Sequence, residues 1–335
     1  MENLLQNKRV LILGSNSFAA SALITKLLEI GAIVLGINRS PENHYIFRQH
    51  EWNFSCSNYK FLQADLNNDL RTITSTINEF GPNIVVDFAG QGMVAESWQN
   101  PEQWYLTNLV AKVRIHDVLR NIKTLDKYIR VSTPEVYGSS DKLILENNNY
   151  NPSTPYAVSH SAVDMSLATY YQRYNFPMII TRFANFYGPG QQLYRIIPRT
   201  IIYALLKKKL QLHGGGTSIR AFIYSTDVAD AIIKTILLGK IGEIYHFSPD
   251  NFYTISDVVF TIANKLNIEF DNLVEITKDR PSKDHAYLMD SSKAKSELDW
   301  RQKVSLDEGI EETHKWILNN FNHIKILPLE YFHKK

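Results

Sequence analysis

One cysteine, Cys56, is all that the 335-residue chain contains. An intrachain disulfide framework is therefore excluded, no set of thiolates is present to hold zinc, and a reducing compartment fits. No metal site is expected. No stretch approaches the roughly 20 apolar residues that cross a bilayer, so no membrane partner is expected. The apolar run 10–13 is too short for the core of a signal peptide and lacks a small-residue cleavage site, which makes the cytoplasm the expected location. Charge of one sign is also missing: 36 basic and 34 acidic residues leave +2 and are scattered along the chain. Lys207-Lys208-Lys209 and Lys334-Lys335 read as a solvated helix end and a tail, and no basic stripe marks a nucleic-acid partner.

What is present is ordinary globular composition, 44% hydrophobic and 21% charged, enough for one large core or two smaller ones. In the first half, short β-rich apolar runs alternate with longer segments of helical period, the pattern of a parallel sheet flanked by helices. Strands are expected at 10–13, 33–37, 61–62, 84–86, 128–131 and 178–181. Helices are expected at 18–30, stopped by Gly31, at 72–80, stopped by Gly81-Pro82, and in segments opening at Pro101 and Pro155. Thr154 reads as the N-cap of the last of these, which carries Tyr156, His160 and Val163 on one face. From Asn185 the rhythm loosens. Gly188-Pro189-Gly190 and Gly214-Gly215-Gly216 mark loops, 221–224 and 243–247 read as strands returning to the sheet, and Ser305-x-x-Glu308 opens a final helix as a capping box.

A strand that ends in glycine and runs straight into a helix is the setting in which backbone N–H groups and the helix dipole hold a pyrophosphate. Here Gly14 ends the first strand, while Ser17 and Ala20 stand where the G-x-x-G-x-x-G pattern has its other glycines, with Phe18 opening the helix. Both replacements are small enough for close approach. After the third strand, Asp65-Leu66 places a carboxylate to accept from an adenine amino group, with a helix N-cap as its structural alternative. After the second strand an NAD site offers a carboxylate to the ribose 2′-hydroxyl, whereas this chain has Asn38-Arg39-Ser40. A guanidinium and a hydroxyl there suit a 2′-phosphate and favour NADP over NAD.

Ser132-Thr133-Pro134-Glu135-Val136-Tyr137-Gly138, followed by Tyr156-Ala157-Val158-Ser159-His160, resembles the nucleotide-sugar 4,6-dehydratases and epimerases of the extended short-chain dehydrogenase/reductase family. Ala89-Gly90-Gln91, Asn108, the run from Arg182 to Pro189, Arg220, Asp227 and the segment 279–284 extend the resemblance over nearly the whole chain. It implies a doubly wound parallel (Rossmann) sheet with a smaller, partly interleaved α/β C-terminal substrate region. The dinucleotide domain would span 1–184, with 221–249 returning to it, and the substrate region 185–220 and 250–330. It implies that Tyr156 takes the proton from the sugar 4-hydroxyl, that Thr133 polarises the same oxygen, and that Glu135 removes the C5 proton so that the 6-hydroxyl leaves as water. Ala89, Gln91, Asn108, Tyr156 and His160 join the cofactor site. Asn185, Arg195, Arg220 and Arg280 grip the nucleotide diphosphate of the substrate. The helices opening at Pro101 and Pro155 would pair across a two-fold axis in a homodimer.

Two positions depart from the family. Pro134 stands where glucose dehydratases have an aspartic acid, so Glu135 must serve as base and acid in turn. His160 stands where the family has lysine. An imidazole is mostly uncharged at neutral pH, which predicts a narrow or alkaline working range and a gain in turnover from His160→Lys. Dehydration is the expected reaction, with 4-epimerisation and hexuronate decarboxylation as enzyme alternatives and a catalytically silent nucleotide-sugar or dinucleotide binder as the alternative of another class.

Overall fold

The computed structural model describes residues 2–52, 57–278 and 285–333. Seven parallel strands form the central sheet: β1 (Arg9–Leu13), β2 (Ile33–Asn38), β3 (Tyr59–Gln63), β4 (Ile84–Asp87), β5 (Lys127–Ser132), β6 (Met178–Phe183) and β7 (Ile244–Phe247). Their order is β7-β6-β5-β4-β1-β2-β3. Alternation within each strand sends side chains to opposite faces. Val10 and Ile12 join one apolar cluster with Leu23 and Ile24 of the helix Phe18–Glu29 and Ile232 of the helix Ser225–Leu238. Leu11 and Leu13 join another with Ile73, Ile77, Ile115 and Leu167 from helices on the far side. Both faces are covered, which is why the strands read as continuous apolar runs.

The strand order reverses between β1 and β4, and that point opens a crevice at the C-terminal ends of the strands. Local chemistry fixes the elements around it. Thr154 accepts from the Ala157 N–H, and Pro155 occupies the first turn of the helix Pro155–Tyr174. The helical segment 101–119 carries a π turn at Leu106–Val110. Ser305 and Glu308 cap each other's backbone at the start of the helix Leu306–Asn319.

The returning strands are only half as expected. Ile244–Phe247 pairs with β6, but Phe222–Tyr224 pairs with Asn185–Tyr187 outside the central sheet. The reason is edge occupancy: β7 already fills the free edge of β6, so Phe222–Tyr224 takes the stretch that continues beyond Ala184. A separate apolar cluster, with Ile197, Ile201, Phe222, Val258 and Ile310, sits beneath this second region. Among the described residues no helix is long and apolar enough to cross a membrane.

Candidate active site

Gly14, Ser17, Asn38, Arg39, Ser40, Asp65, Leu66, Ala89 and Gln91 line one cleft at the strand ends. Asn16, Asn43, Phe88 and Thr107, not foreseen from sequence, line it too. Gly14 has φ +77°, and a Cβ there would stand 2.6 Å from the Ala89 nitrogen. This is the one glycine that the turn cannot replace. The other two are dispensable: Ser17 becomes the N-cap, accepting from Ala20 N–H at 3.2 Å, and Ala20 is wholly buried. The cleft thus ends at a helix N-terminus with a close-packed glycine, which fits a dinucleotide pyrophosphate.

Three expected cofactor contacts act otherwise. Phe18 and Ala20 are buried beneath the loop. Asn108, also buried, accepts from the Gln91 N–H at 2.6 Å and donates to the Gln91 carbonyl and to Ser159 Oγ at 3.1 and 3.0 Å. Its amide is consumed in pinning the loop after β4 to the helix Pro155–Tyr174. Asp65 lines the cleft while accepting from Asn67 N–H at 2.9 Å, so its carboxylate also shapes the turn. Arg39 donates to Gln91 Oε1 at 3.2 Å across the cleft.

The chain's last described residues cross the mouth. The His333 ring stacks on Trp104 with centroids 4.9 Å apart, and its Nδ1 lies 3.0 Å from Gln91 Nε2. Tyr331 packs edge-on against Tyr194 at 5.3 Å, and Glu330 pairs with Arg199 at 2.6 Å. The sequence offered no periodic signal for this tail.

Thr133 leaves β5 in extended conformation, and the 3₁₀ turn Pro134–Tyr137 follows at once. Pro134 is buried at the start of that turn, where it fixes the backbone that presents Glu135. Across from it, Tyr156 lies in the first turn of the helix Pro155–Tyr174. Burial pushes the Tyr156 hydroxyl well above its ordinary value and the Glu135 charge adds to this, while the Thr133 hydrogen bond and the charges of Arg195 and Arg130 pull the other way. Thr133, Glu135 and Arg195, the last expected to grip the substrate, thus all act on the Tyr156 hydroxyl. Asn185 is exposed on its short strand, paired with Phe222. Arg220 donates to the His285 carbonyl at 2.9 Å and covers the Tyr287 ring, so it also braces the substrate region. Arg280 lies outside the described residues, as does Cys56.

Behind Tyr156 is a cluster of ions that sequence reasoning missed. Asp87, Lys112, Arg130, Asp164 and Arg182 are each at most 1% exposed. Lys112 Nζ contacts Asp87 Oδ1, and Tyr128 donates to Asp87 Oδ2 at 2.6 Å. Burial opposes ionisation of Asp87, but Lys112 and Arg130 outweigh it and hold the carboxyl below the usual range. Asp164 Oδ2 accepts from Ser132 at 2.6 Å and from Arg182 at 3.0 Å. Lys112 falls on the same helix face as Ile115 and Leu119, a spacing that could have marked it as buried.

His160 belongs to this cluster. Its Nδ1 lies 2.9 Å from Arg130 Nη2. Burial, then Arg130 and Lys112, hold its pKa well below the ordinary value. Both the Arg130 donor at Nδ1 and the burial favour the neutral imidazole, so the sequence-based expectation of an activity window set by His160 protonation is revised. A lysine at 160 would set a second cation beside Arg130, which removes the ground for expecting His160→Lys to raise turnover. Elsewhere, ligand atoms of Glu42, His50 and Glu51 lie within 4.8 Å of one another. Arg48 bridges the two carboxylates at 3.2 and 2.7 Å, so the group is an ion-pair cluster.

The family described as GDP-mannose 4,6 dehydratase matches residues 11–313. The human dTDP-D-glucose 4,6-dehydratase is 32% identical over 325 residues, covering 95% of this chain and 92% of that protein. The Streptomyces venezuelae dTDP-glucose 4,6-dehydratase DesIV, solved with NAD and TYD bound, superposes with a TM-score of 0.86 at 25% identity, covering 94% of this chain and 98% of that one. The Thermotoga maritima UDP-glucose 4-epimerase shares the fold, with a TM-score of 0.85 at 22% identity over 93% of this chain and 99% of its own. The chain belongs to the GDP-mannose 4,6 dehydratase family, within the nucleotide-sugar 4,6-dehydratases and epimerases of the extended short-chain dehydrogenase/reductases.

Proposed function

We propose that this chain is a nicotinamide-dependent nucleotide-sugar 4,6-dehydratase of the cytoplasm. The observation that carries this reading is the placing of Glu135 on the 3₁₀ turn that follows Thr133 at the end of β5, with Thr133 hydrogen-bonded to Tyr156 in the first turn of its helix, because a 4-epimerase needs no carboxylate at C5. A bound nicotinamide would supply the hydride chemistry, accepting a hydride from C4 and giving one back at C6. Tyr156, as phenolate, accepts the proton of the 4-hydroxyl, and Thr133 donates to the same oxygen. With C4 a ketone, the C5 proton is acidic, and Glu135 accepts it. Pro134 has no proton to give, so the protonated Glu135 delivers the same proton to the 6-hydroxyl, the C6–O bond breaks and water departs. Hydride addition at C6 then leaves an enolate that takes up one proton at C5, while Tyr156 gives up the proton it took from the 4-hydroxyl. Asn185, Arg195, Arg220 and Arg280 are assigned to the nucleotide diphosphate.

Gly14, Ser17, Asp65 and Leu66 are assigned to the dinucleotide. The relative solved with bound cofactor holds NAD. In this chain Arg39 and Ser40, with no carboxylate at the end of β2, support NADP. A homodimer is part of the reading, supported by Leu106, Val158 and Met165, apolar and 40–48% exposed on the helices expected to pair. Light scattering at micromolar concentration should give twice the chain mass, and a monomer overturns it.

The test of the reaction is Glu135→Gln. Water loss should fall by about 10²–10⁴-fold, while deuterium at C4 still reaches the cofactor in a single turnover. Water loss at the parental rate would show that Glu135 is not the base.

A further inference from the structure

We propose that Arg130 is a positioning residue for this reaction: by donating to His160 Nδ1 it fixes the imidazole as the neutral Nε2–H tautomer, and from behind the imidazole it supplies the fixed positive charge that favours the Tyr156 phenolate. The inference rests on Tyr156 being the base.

The hydrogen-bond donors decide the tautomer. A guanidinium has no lone pair, so at 2.9 Å the His160 Nδ1 must be the acceptor and the ring proton is on Nε2. The His160 ring in turn sits 4.5 Å from the Tyr156 ring, one helical turn away. Arg130 is 1% exposed and comes from the middle of β5, so its position does not depend on solvent.

The cluster holds more cations than carboxylates, so its net charge is positive. Lys112, Arg130 and Arg182 face only Asp87 and Asp164 inside the cluster. Asp87 takes its hydrogen bonds from Lys112 and Tyr128, and Asp164 Oδ2 from Ser132 and Arg182, while Asp164 Oδ1 faces Arg130 Nε. Arg130 stands off from them at 3.8 and 3.7 Å. The charged and titratable groups facing His160 and Tyr156 are thus Arg130 on β5, Lys112 on 101–119, Asp87 at the end of β4, Asp164 on their own helix, Arg182 on β6, Glu135 and Arg195. Arg130 is the one that contacts the imidazole.

Nitrogen NMR of cofactor-free protein carrying labelled histidine reads the tautomer, with the His160 signal identified by its loss in His160→Gln. Nδ1 should stay unprotonated and Nε2 protonated from about pH 5.5 to 8.5, across the ordinary histidine range. The acid limb of kcat/KM against pH reads the phenolate. Arg130→Gln should move that limb up by about one pH unit, a tenfold loss of phenolate at fixed pH. Arg130→Lys should hold it in place, and His160→Gln should lower the rate without moving it. A His160 cation anywhere in that range overturns the proposal, as does an Arg130→Lys limb displaced as far as that of Arg130→Gln, or a His160→Gln limb displaced equally. Should Arg130→Gln fail to fold, the NMR of the parent and the Arg130→Lys profile still decide. The NMR involves no substrate, so an error in the assigned reaction leaves it unchanged.

Discussion

The dinucleotide cleft keeps its shape with backbone groups and small side chains, whereas the cluster behind Tyr156 does so with long charged side chains withdrawn from water. In the cleft, Gly14 meets the Ala89 backbone, Ser17 caps a helix and Asn108 clamps the Gln91 peptide. Each contact is local or involves one neutral partner. In the cluster every charge depends on another, and the loss of one partner strands the rest. The cleft therefore tolerates substitution that keeps size, as two missing glycines already show, and the cluster tolerates little.

The largest effect that separates the two regions should come from Asp164→Asn. Removing that carboxylate leaves Arg130 and Arg182 buried with their charges opposed only by Asp87, at an expected cost of about 3–5 kcal/mol in unfolding free energy, measured by urea denaturation. A loss under about 1 kcal/mol, the size of an exposed pair, would erase the contrast. A smaller effect is expected in the cleft. Arg39→Ala should weaken NADP by about tenfold and leave NAD nearly unchanged, as removal of one phosphate contact does, with little change in stability. Titration of both cofactors against stripped protein checks it, and equal losses for the two would place Arg39 with Gln91 rather than with a 2′-phosphate.

The same contrast explains what could be read from the sequence. Thr154-Pro155 and Ser305-x-x-Glu308 act through neighbours one to three residues away, so their roles are written in short spacings. Inner strands such as β1 and β4 were legible because burial on both faces leaves an unbroken apolar run, whereas the edge strand β3, with no fully buried residue, showed only at 61–62. Arg130 and Lys112 were not, because a lone basic residue reads as solvated until its partner is known, and Asp87 is 25 residues from Lys112. Phe222–Tyr224 looked like a sheet strand by composition, and only the occupied edge of β6 sends it elsewhere. His160 was visible as a departure from the family, but its state was not, since Arg130 reaches it from 30 residues away.

The tail from Glu330 to His333 gives the site an order in time as well as in space. A chain growing from its N-terminus can pair β1 to β4 and form the pyrophosphate turn early, since those strands are complete by residue 87. Gln91, at the lip of that turn, meets His333 across 242 residues, and Tyr194 meets Tyr331 across the same mouth. The residues of the turn are therefore synthesised long before the residue that packs on Gln91 at its lip.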